Sequence, residues 1–296
     1  MKYRGVFTAL ITPFKSNGDV DEDALQKLIE YQIENNIDGL VPCGTTGESP
    51  TLSHDEHDRV VELTIEFANK RVPVIGGTGS NSTAEAIRLT RHAKDAGVDA
   101  VLLVNPYYNK PTQKGLYLHF KDIADAVDIP CVVYNIKGRT AVNVETPTLV
   151  KLMNDCHNII AVKEASGDLN QMKDVIAKRR PGFSVLSGDD NMALGLIESG
   201  GDGVISVASN LVPGRMVKMV HSALDGDIKK AKELEEELAD LFRVEFIETN
   251  PIPIKTALAM KGMCEEVFRL PICELENPEH RDELNKVVQK LNLKGY

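Results

Sequence analysis

The segments VDAVLLV (residues 98–104) and NIIAVK (residues 158–163) are short, nearly unbroken apolar runs. They lack the polar–apolar alternation of a half-buried strand, and runs of this kind suit parallel strands covered on both faces. Working outward, comparable runs fit strands at 5–12, 38–42, 72–76, 100–104, 131–134, 159–163, 183–187 and 203–207. A stretch with helical spacing follows each. Asp21 is a predicted N-cap ahead of Leu25, Leu28, Ile29, Gln32 and Ile33, and Ser53 with Glu56 forms a capping-box pattern. Further helices are predicted over 83–96, 116–126, 147–153, 169–179, 192–199 and 213–225. Eight strand–helix units in this length predict the α/β class and a closed (β/α)₈ barrel over residues 1–225. The remainder, 226–296, carries no strand and reads as a helical extension, with helices over 228–246, 254–261 and 278–291. A doubly wound open sheet is the competing architecture. Against it, no G-x-G-x-x-G follows the first strand, and GTGSN (77–81) has the wrong spacing.

The chain has 296 residues, 34 basic and 44 acidic, for a formal net charge of −10. Such a surface disfavours nucleic acid and anionic membranes as partners. The N-terminal stretch MKYRGVFTALITPF shows no signal-peptide pattern, and no apolar run approaches the roughly 20 residues of a membrane span. Cys43, Cys131, Cys156, Cys264 and Cys273 are odd in number and include no C-x-x-C pair. Reduced thiols and a cytoplasmic location are therefore expected, without a zinc site.

In a barrel the active site forms where the strands end. The sixth run ends at Lys163, whose stem lies in apolar surroundings. Burial disfavours the ammonium, and the neutral amine can attack a ketone to form an imine. A lysine that snorkels to water is the competing reading. The fifth run ends at Tyr134, a phenol able to relay protons or simply a packed rim aromatic. Arg139 follows on the loop, suited to a carboxylate or to solvent. The second run ends in GTTGE (44–48), whose glycines and hydroxyls can cradle an anion or merely turn the chain. Tyr107 and Tyr108 follow the fourth run. Together these groups suit condensation of a keto acid with a second carboxylate-bearing carbonyl compound. No cofactor or metal is expected, because a protonated imine is itself the electron sink. His54 and His57 lack a third ligand.

The motifs GTTGES (44–49), NPYYNKP (105–111), VVYNIKGRT (132–140), AVKEASGD (161–168), LSGDD (186–190) and GGDGVISV (200–207) resemble those of the pyruvate-dependent class I aldolases. This is the N-acetylneuraminate lyase and dihydrodipicolinate synthase family, and the likeness to its dihydrodipicolinate synthase branch extends over essentially the whole chain. The resemblance implies that Lys163 forms the pyruvate imine and that Tyr134 is the central proton relay, with Thr46 as its hydroxyl neighbour. Tyr108 would be the third relay member, contributed across a subunit contact in a homotetramer built as a dimer of dimers. Thr45 and Thr46 would bind the pyruvate carboxylate, Arg139 would anchor L-aspartate-4-semialdehyde, and Gly188 and Ile205 would line the pocket. Lysine-sensitive members bind L-lysine at the tight dimer interface, away from the barrel mouth. The matching positions are Ser49, Pro50, His54, His57, Asn81, Glu85 and Tyr107, which implies inhibition by lysine. Lys137 departs from the family, which commonly has proline, or a small residue beside it, between the strand-end Asn and GRT, and it adds positive charge near an anionic site. Alternatives on the same scaffold are N-acetylneuraminate lyase and the 2-keto-3-deoxy sugar acid aldolases, and outside catalysis a keto-acid sensor.

Overall fold

Strands β1 (Gly5–Ala9), β2 (Gly39–Val41), β3 (Ile75–Gly77), β4 (Ala100–Val104), β5 (Cys131–Asn135), β6 (Ile159–Glu164), β7 (Ser184–Ser187) and β8 (Gly203–Ser206) are all parallel in the computed structural model, which describes residues 3–293. Their order is β2-β1-β8-β7-β6-β5-β4-β3. The two ends of that order meet. Leu40 and Val74 form a parallel bridge, Leu40 N donates to Pro73 O at 3.0 Å, and Gly77 N donates to Pro42 O at 3.0 Å. Closure removes both sheet edges and makes a (β/α)₈ barrel, so the open doubly wound sheet is excluded.

The intervening helices are α1 (Glu22–Glu34), α2 (His54–Ala68), α3 (Thr83–Ala96), α4 (Gln113–Ala126), α5 (Lys137–Thr140), α6 (Thr146–Asp155), α7 (Leu169–Lys178), α8 (Ala193–Glu198) and α9 (Pro213–Leu224). Local chemistry sets their starts. Asp21 accepts from Ala24 N at 3.1 Å. Ser53 Oγ accepts from Glu56 N at 3.2 Å while Glu56 Oε2 accepts from Ser53 N at 2.8 Å, a reciprocal cap. The first strand is shorter than its apolar run because the chain leaves the sheet after Leu10. Ile11 N then bonds Asn210 Oδ1 and Thr12 Oγ1 donates to Gly47 O. The one-turn α5 was not legible as a helix, since KGRT offers no apolar periodicity.

Side chains alternate across each strand. Phe7, Val41, Ile75, Leu102, Val132, Ala161, Leu186 and Ile205 fill the barrel interior, whereas Val6, Val101, Val133 and Val162 pack outward under the helices. After α9 the chain continues as α10 (Ile228–Val244), α11 (Ile252–Met260) and α12 (Pro278–Lys290). The α10 face bearing Leu234, Leu238 and Leu241 is buried, as are residues 252–258 of α11. The α10–α11 connection and α11 reach the carboxyl ends of the strands, so the extension takes part in the site.

Candidate active site

Lys163 stands in the last interior layer of β6, two residues beyond Ala161, and is 5% exposed. An irregularity in the strand sets its direction. Cys131 pairs with Ile159, but Val132 pairs with Ala161, so Ile160 is an extra residue between them. This bulge shifts the later register by one, so that Tyr134 pairs with Lys163. Both side chains then point inward, and Lys163 Nζ lies 4.2 Å from the centroid of the Tyr134 ring. Burial lowers the Lys163 pKa to about 8, with Asp189 and Asp190 opposing and Arg139 assisting. At pH 7 about a tenth of the amine is thus neutral and nucleophilic, far more than for an ordinary lysine.

Gly188, just past β7, lets the lysine stem lie flat. A Cβ there would come within 2.5 Å of Ala165 Cβ and 3.0 Å of Lys163 Cε. Ile205 is fully buried on β8, paired with Phe7, and belongs to the barrel filling.

Burial pushes the Tyr134 phenol above its ordinary range, against the Arg139 charge; Asp189 adds to the rise, and a hydrogen bond with the Thr45 side chain pulls it down. The phenol therefore keeps its proton at neutral pH. The hydroxyl beside it belongs to Thr45, which corrects the assignment of that place to Thr46. Thr46 Oγ1 instead accepts from Asn250 Nδ2 at 3.0 Å. Adjacent residues of a tight turn point in different directions, and the motif alone does not say which faces the strand end.

Arg139 lies on α5, not on an irregular loop. Ala141 N donates to Lys137 O at 2.9 Å and Thr140 Oγ1 donates to Ile136 O at 2.8 Å, so the turn is held without proline. Arg139 Nη2 donates to Asn250 O at 3.0 Å. Asn250, in the α10–α11 connection, thus ties together Thr46 and Arg139 through its two ends. Next to Thr46, Glu48 forms an ion pair with Lys255 of α11 at 2.6 Å, with both side chains shielded from solvent. Lys255 Nζ also lies 4.1 Å from the Phe14 ring centroid. Breaking one half of such a pair typically costs about 3–5 kcal/mol. Asn250, Lys255, Asp189, Asp190 and Glu245 carried no sequence signal read as functional, although the two aspartates sit in the quoted LSGDD.

Tyr108 is 90% exposed with φ +69°, outside its own barrel. Tyr107 lines a cavity of about 390 Å³ together with Ser49, Pro50, His54, His57 and Glu85. The same cavity is lined by Thr45, Tyr134 and Arg139. Within one chain, then, most of these residues line the same cavity as the barrel mouth. Ser49 and Pro50 lie on the short 3-10 turn that leads from GTTG into α2, and this keeps His54 and His57 near the barrel mouth. His54 Nε2 and Glu85 Oε1 are 2.9 Å apart, His57 Nε2 faces Gly77 O at 2.7 Å, and Asn81 Nδ2 donates to Tyr107 O at 3.2 Å. Among the described residues no three His, Cys, Asp or Glu side chains cluster as metal ligands would. None of the helices there is long and apolar enough to cross a membrane.

Residues 2–291 match the model of the dihydrodipicolinate synthetase family. The chain is 53% identical to a 4-hydroxy-tetrahydrodipicolinate synthase of Syntrophus aciditrophicus (strain SB), with 99% of this chain and all of the relative covered. It superposes on the crystal structure of dihydrodipicolinate synthase from Aquifex aeolicus with a TM-score of 0.96 at 49% identity, covering 98% of this chain and 99% of that one. A dihydrodipicolinate synthase from Cyanidioschyzon merolae, solved with lysine bound, is similar at 38% identity and a TM-score of 0.95, covering 99% of both chains.

Proposed function

The chain belongs to the dihydrodipicolinate synthetase family, and from that premise we propose that it is a 4-hydroxy-tetrahydrodipicolinate synthase, a lyase of lysine biosynthesis by the diaminopimelate route. It condenses pyruvate with L-aspartate-4-semialdehyde in the cytoplasm. The observation that carries the reading is the pairing of a buried, partly neutral Lys163 amine with the Tyr134 phenol at one barrel mouth.

In this reading Lys163 Nζ attacks the keto carbon of pyruvate, and the carbonyl oxygen leaves as water after receiving protons through Tyr134. The protonated imine withdraws electrons, so a methyl proton can be lost and an enamine forms. The enamine carbon attacks the semialdehyde carbonyl, and the new alkoxide takes a proton from the relay. The amino group of the second substrate then displaces Lys163 from the imine carbon, closing the ring and freeing the enzyme.

The relay reads as Thr45, Tyr134 and, from a neighbouring subunit, Tyr108, whose exposure and left-handed backbone suit insertion into a partner. Thr45 and Thr46 with their turn hold the pyruvate carboxylate, Gly188 and Ile205 bound the pocket, and Arg139 grips the semialdehyde carboxylate. The active form is a homotetramer made of two dimers. L-lysine inhibits from Ser49, Pro50, His54, His57, Asn81, Glu85 and Tyr107. The deciding experiment is a product assay with pyruvate and aspartate-semialdehyde, run beside N-acetylmannosamine and glyceraldehyde. Turnover confined to either of the latter would assign a sibling aldolase instead.

A further inference from the structure

Asp190, just past β7, and Glu245, capping the C-terminus of α10, are each 1% exposed. Asp190 Oδ2 accepts the backbone N–H of Val207 at 2.8 Å and of Ala208 at 3.0 Å. Two amide donors on one oxygen stabilise a carboxylate. Glu245 has no such support. Among the described residues no hydrogen-bond donor reaches either of its oxygens or Asp190 Oδ1, and α10 packs against the turn that opens with Asp190, which sets the two carboxyl groups against each other. Two carboxyl groups can hydrogen-bond only if one carries a proton, and two buried carboxylates in contact do not both stay ionised.

We propose that Asp190 and Glu245 share one proton, held on Glu245, so that the pair presents a single fixed negative charge to the Lys163 amine. The role assigned to that charge rests on Lys163 being the imine-forming lysine. Asp189 and Asp190 face Lys163 and favour its ammonium form, while Arg139 disfavours it and the Tyr134 ring covers it. Asp189 itself faces Lys163, Asp190 and Arg139. An ionised Glu245 would add another negative charge on the Asp190 side and convert more of the amine to ammonium. Burial raises the Glu245 carboxyl well above the usual carboxylate range, and the charges of Asp190 and Asp189 push the same way. Burial also raises Asp190, but the Ser206 hydroxyl, the Ala208 and Val207 amides and Glu245 pull it back. The proton is thus retained on Glu245. Glu245 touches no reacting atom and acts as a positioning residue, holding the charge of its pair with Asp190 at one beside that of Asp189.

Infrared difference spectroscopy of the full chain near neutral pH tests the proton directly. The unmodified protein should show a carboxylic-acid C=O stretch that Glu245→Gln removes, distinguishing it from other buried carboxyls such as Glu164. The pH profile of borohydride trapping with pyruvate tests the charge. Glu245→Gln keeps a neutral hydrogen-bond donor to Asp190 and should leave the acid limb in place. Asp190→Asn removes the charge but keeps an oxygen for Val207 and Ala208, and should move the limb toward acid by about one pH unit. A purely structural role would lower stability with both limbs unmoved. Lack of the Glu245 band, or a limb displaced as far in Glu245→Gln as in Asp190→Asn, overturns the proposal. If Asp190→Asn does not fold, the band and the Glu245→Gln limb decide. Absence of trapping at Lys163 in the unmodified protein would overturn the proposed catalytic function and the pair's role in it, while the band would still report the shared proton.

Discussion

Tyr134 and Lys163 are register partners on neighbouring parallel strands, and they face each other only because Ile160 is an extra residue between paired positions of β5 and β6. Without that bulge Val162 would stand opposite Tyr134. The strand would then have to hide its lysine on the outer face or break its register. The bulge places the amine 4.2 Å from the ring centroid. In that position an ammonium would gain a cation–π contact, while a neutral amine keeps a proton donor and acceptor close by.

Burying that lysine should cost stability. A fall from 10.5 to about 8 corresponds to about 3 kcal/mol. Below pH 8 folded and unfolded states are both protonated and the whole cost applies. Between pH 8 and 10.5 the unfolded state binds more protons, so stability rises with pH across that window. Lys163→Met should therefore abolish borohydride trapping of pyruvate and unfold at higher denaturant than the parent at pH 7, with the gap closing toward pH 10.5. Labelling of another lysine, or a gap that ignores pH, would refute the assignment.

The proton relay makes a sharper distinction between two adjacent threonines. Tyr134→Phe keeps the ring and removes the transferable proton, so kcat should fall by about 10²–10⁴-fold with the fold intact. Thr45→Val should share much of that loss in kcat. Thr46→Val should act chiefly on KM for pyruvate, because its hydroxyl is engaged by Asn250. Stopped-flow imine formation and steady-state rates separate these outcomes, and a reversed pattern would return the relay role to Thr46.

The barrel was legible because parallel strands must be apolar on both faces, and that leaves runs such as VDAVLLV standing out between amphipathic helices. Lys163, Tyr134 and Arg139 were legible because they end such runs or follow them. The orientation within GTTG was not, since a turn has no period from which to read direction. Nor was the Ile160 bulge: in a run that is apolar on both faces, one extra residue leaves no mark in the pattern. Asn250, Lys255 and Glu245 lie far along the chain, in a segment whose helical spacing speaks only of packing. Their partners Thr46, Glu48 and Asp190 are 204, 207 and 55 residues away, and only the folded chain brings them together.

Arg139 should govern the second substrate. Arg139→Ala is expected to raise KM for aspartate-semialdehyde at least tenfold, in line with about 1.5–3 kcal/mol for a charged hydrogen bond, with little change for pyruvate. Arg139→Lys should rescue it only in part, because an ammonium lacks the paired donors of the guanidinium. Equal effects on both substrates in initial-rate kinetics would place Arg139 elsewhere.

The proposed role of Tyr108 in a neighbouring barrel makes activity depend on assembly. A bulky residue at φ +69° is strained, at a typical cost of about 1–3 kcal/mol, and its side chain is 90% exposed in the single chain. Insertion into a neighbour would account for both features. Tyr108→Phe should lower kcat while sedimentation reports the same assembly as for the unmodified protein. Mixing Tyr108→Phe with Tyr134→Phe subunits should restore part of the activity, since some interfaces regain one intact relay. A fully active monomer, or no complementation on mixing, would show that each barrel is complete by itself.

Most of the residues proposed to take L-lysine share one cavity with Thr45, Tyr134 and Arg139. Glu85 is held as a carboxylate by the Ser80 hydrogen bond, with burial opposing and His54 assisting. It can pair with an incoming ammonium. His57 is buried, which lowers its pKa, so it stays neutral and offers shape and hydrogen bonding instead of a repelling charge. Ser49, Pro50, His54, Glu85 and Tyr107 line a space that also reaches Thr45, Tyr134 and Arg139. A ligand bound there would act on the relay through shared walls, with no need for a distant conformational change. Coupling of about 1–3 kcal/mol is typical and would change apparent affinities by roughly 5–150-fold, so inhibition can be partial. Glu85→Gln should keep the uninhibited rate and weaken lysine inhibition at least tenfold, because it deletes the anion while preserving hydrogen bonds to Ser80 and His54. Initial rates across a lysine titration measure this, with His57→Ala as a second variant. An enzyme indifferent to millimolar lysine, or a Glu85→Gln variant as sensitive as the parent, would end the regulatory reading while leaving Lys163 and Tyr134 in their roles.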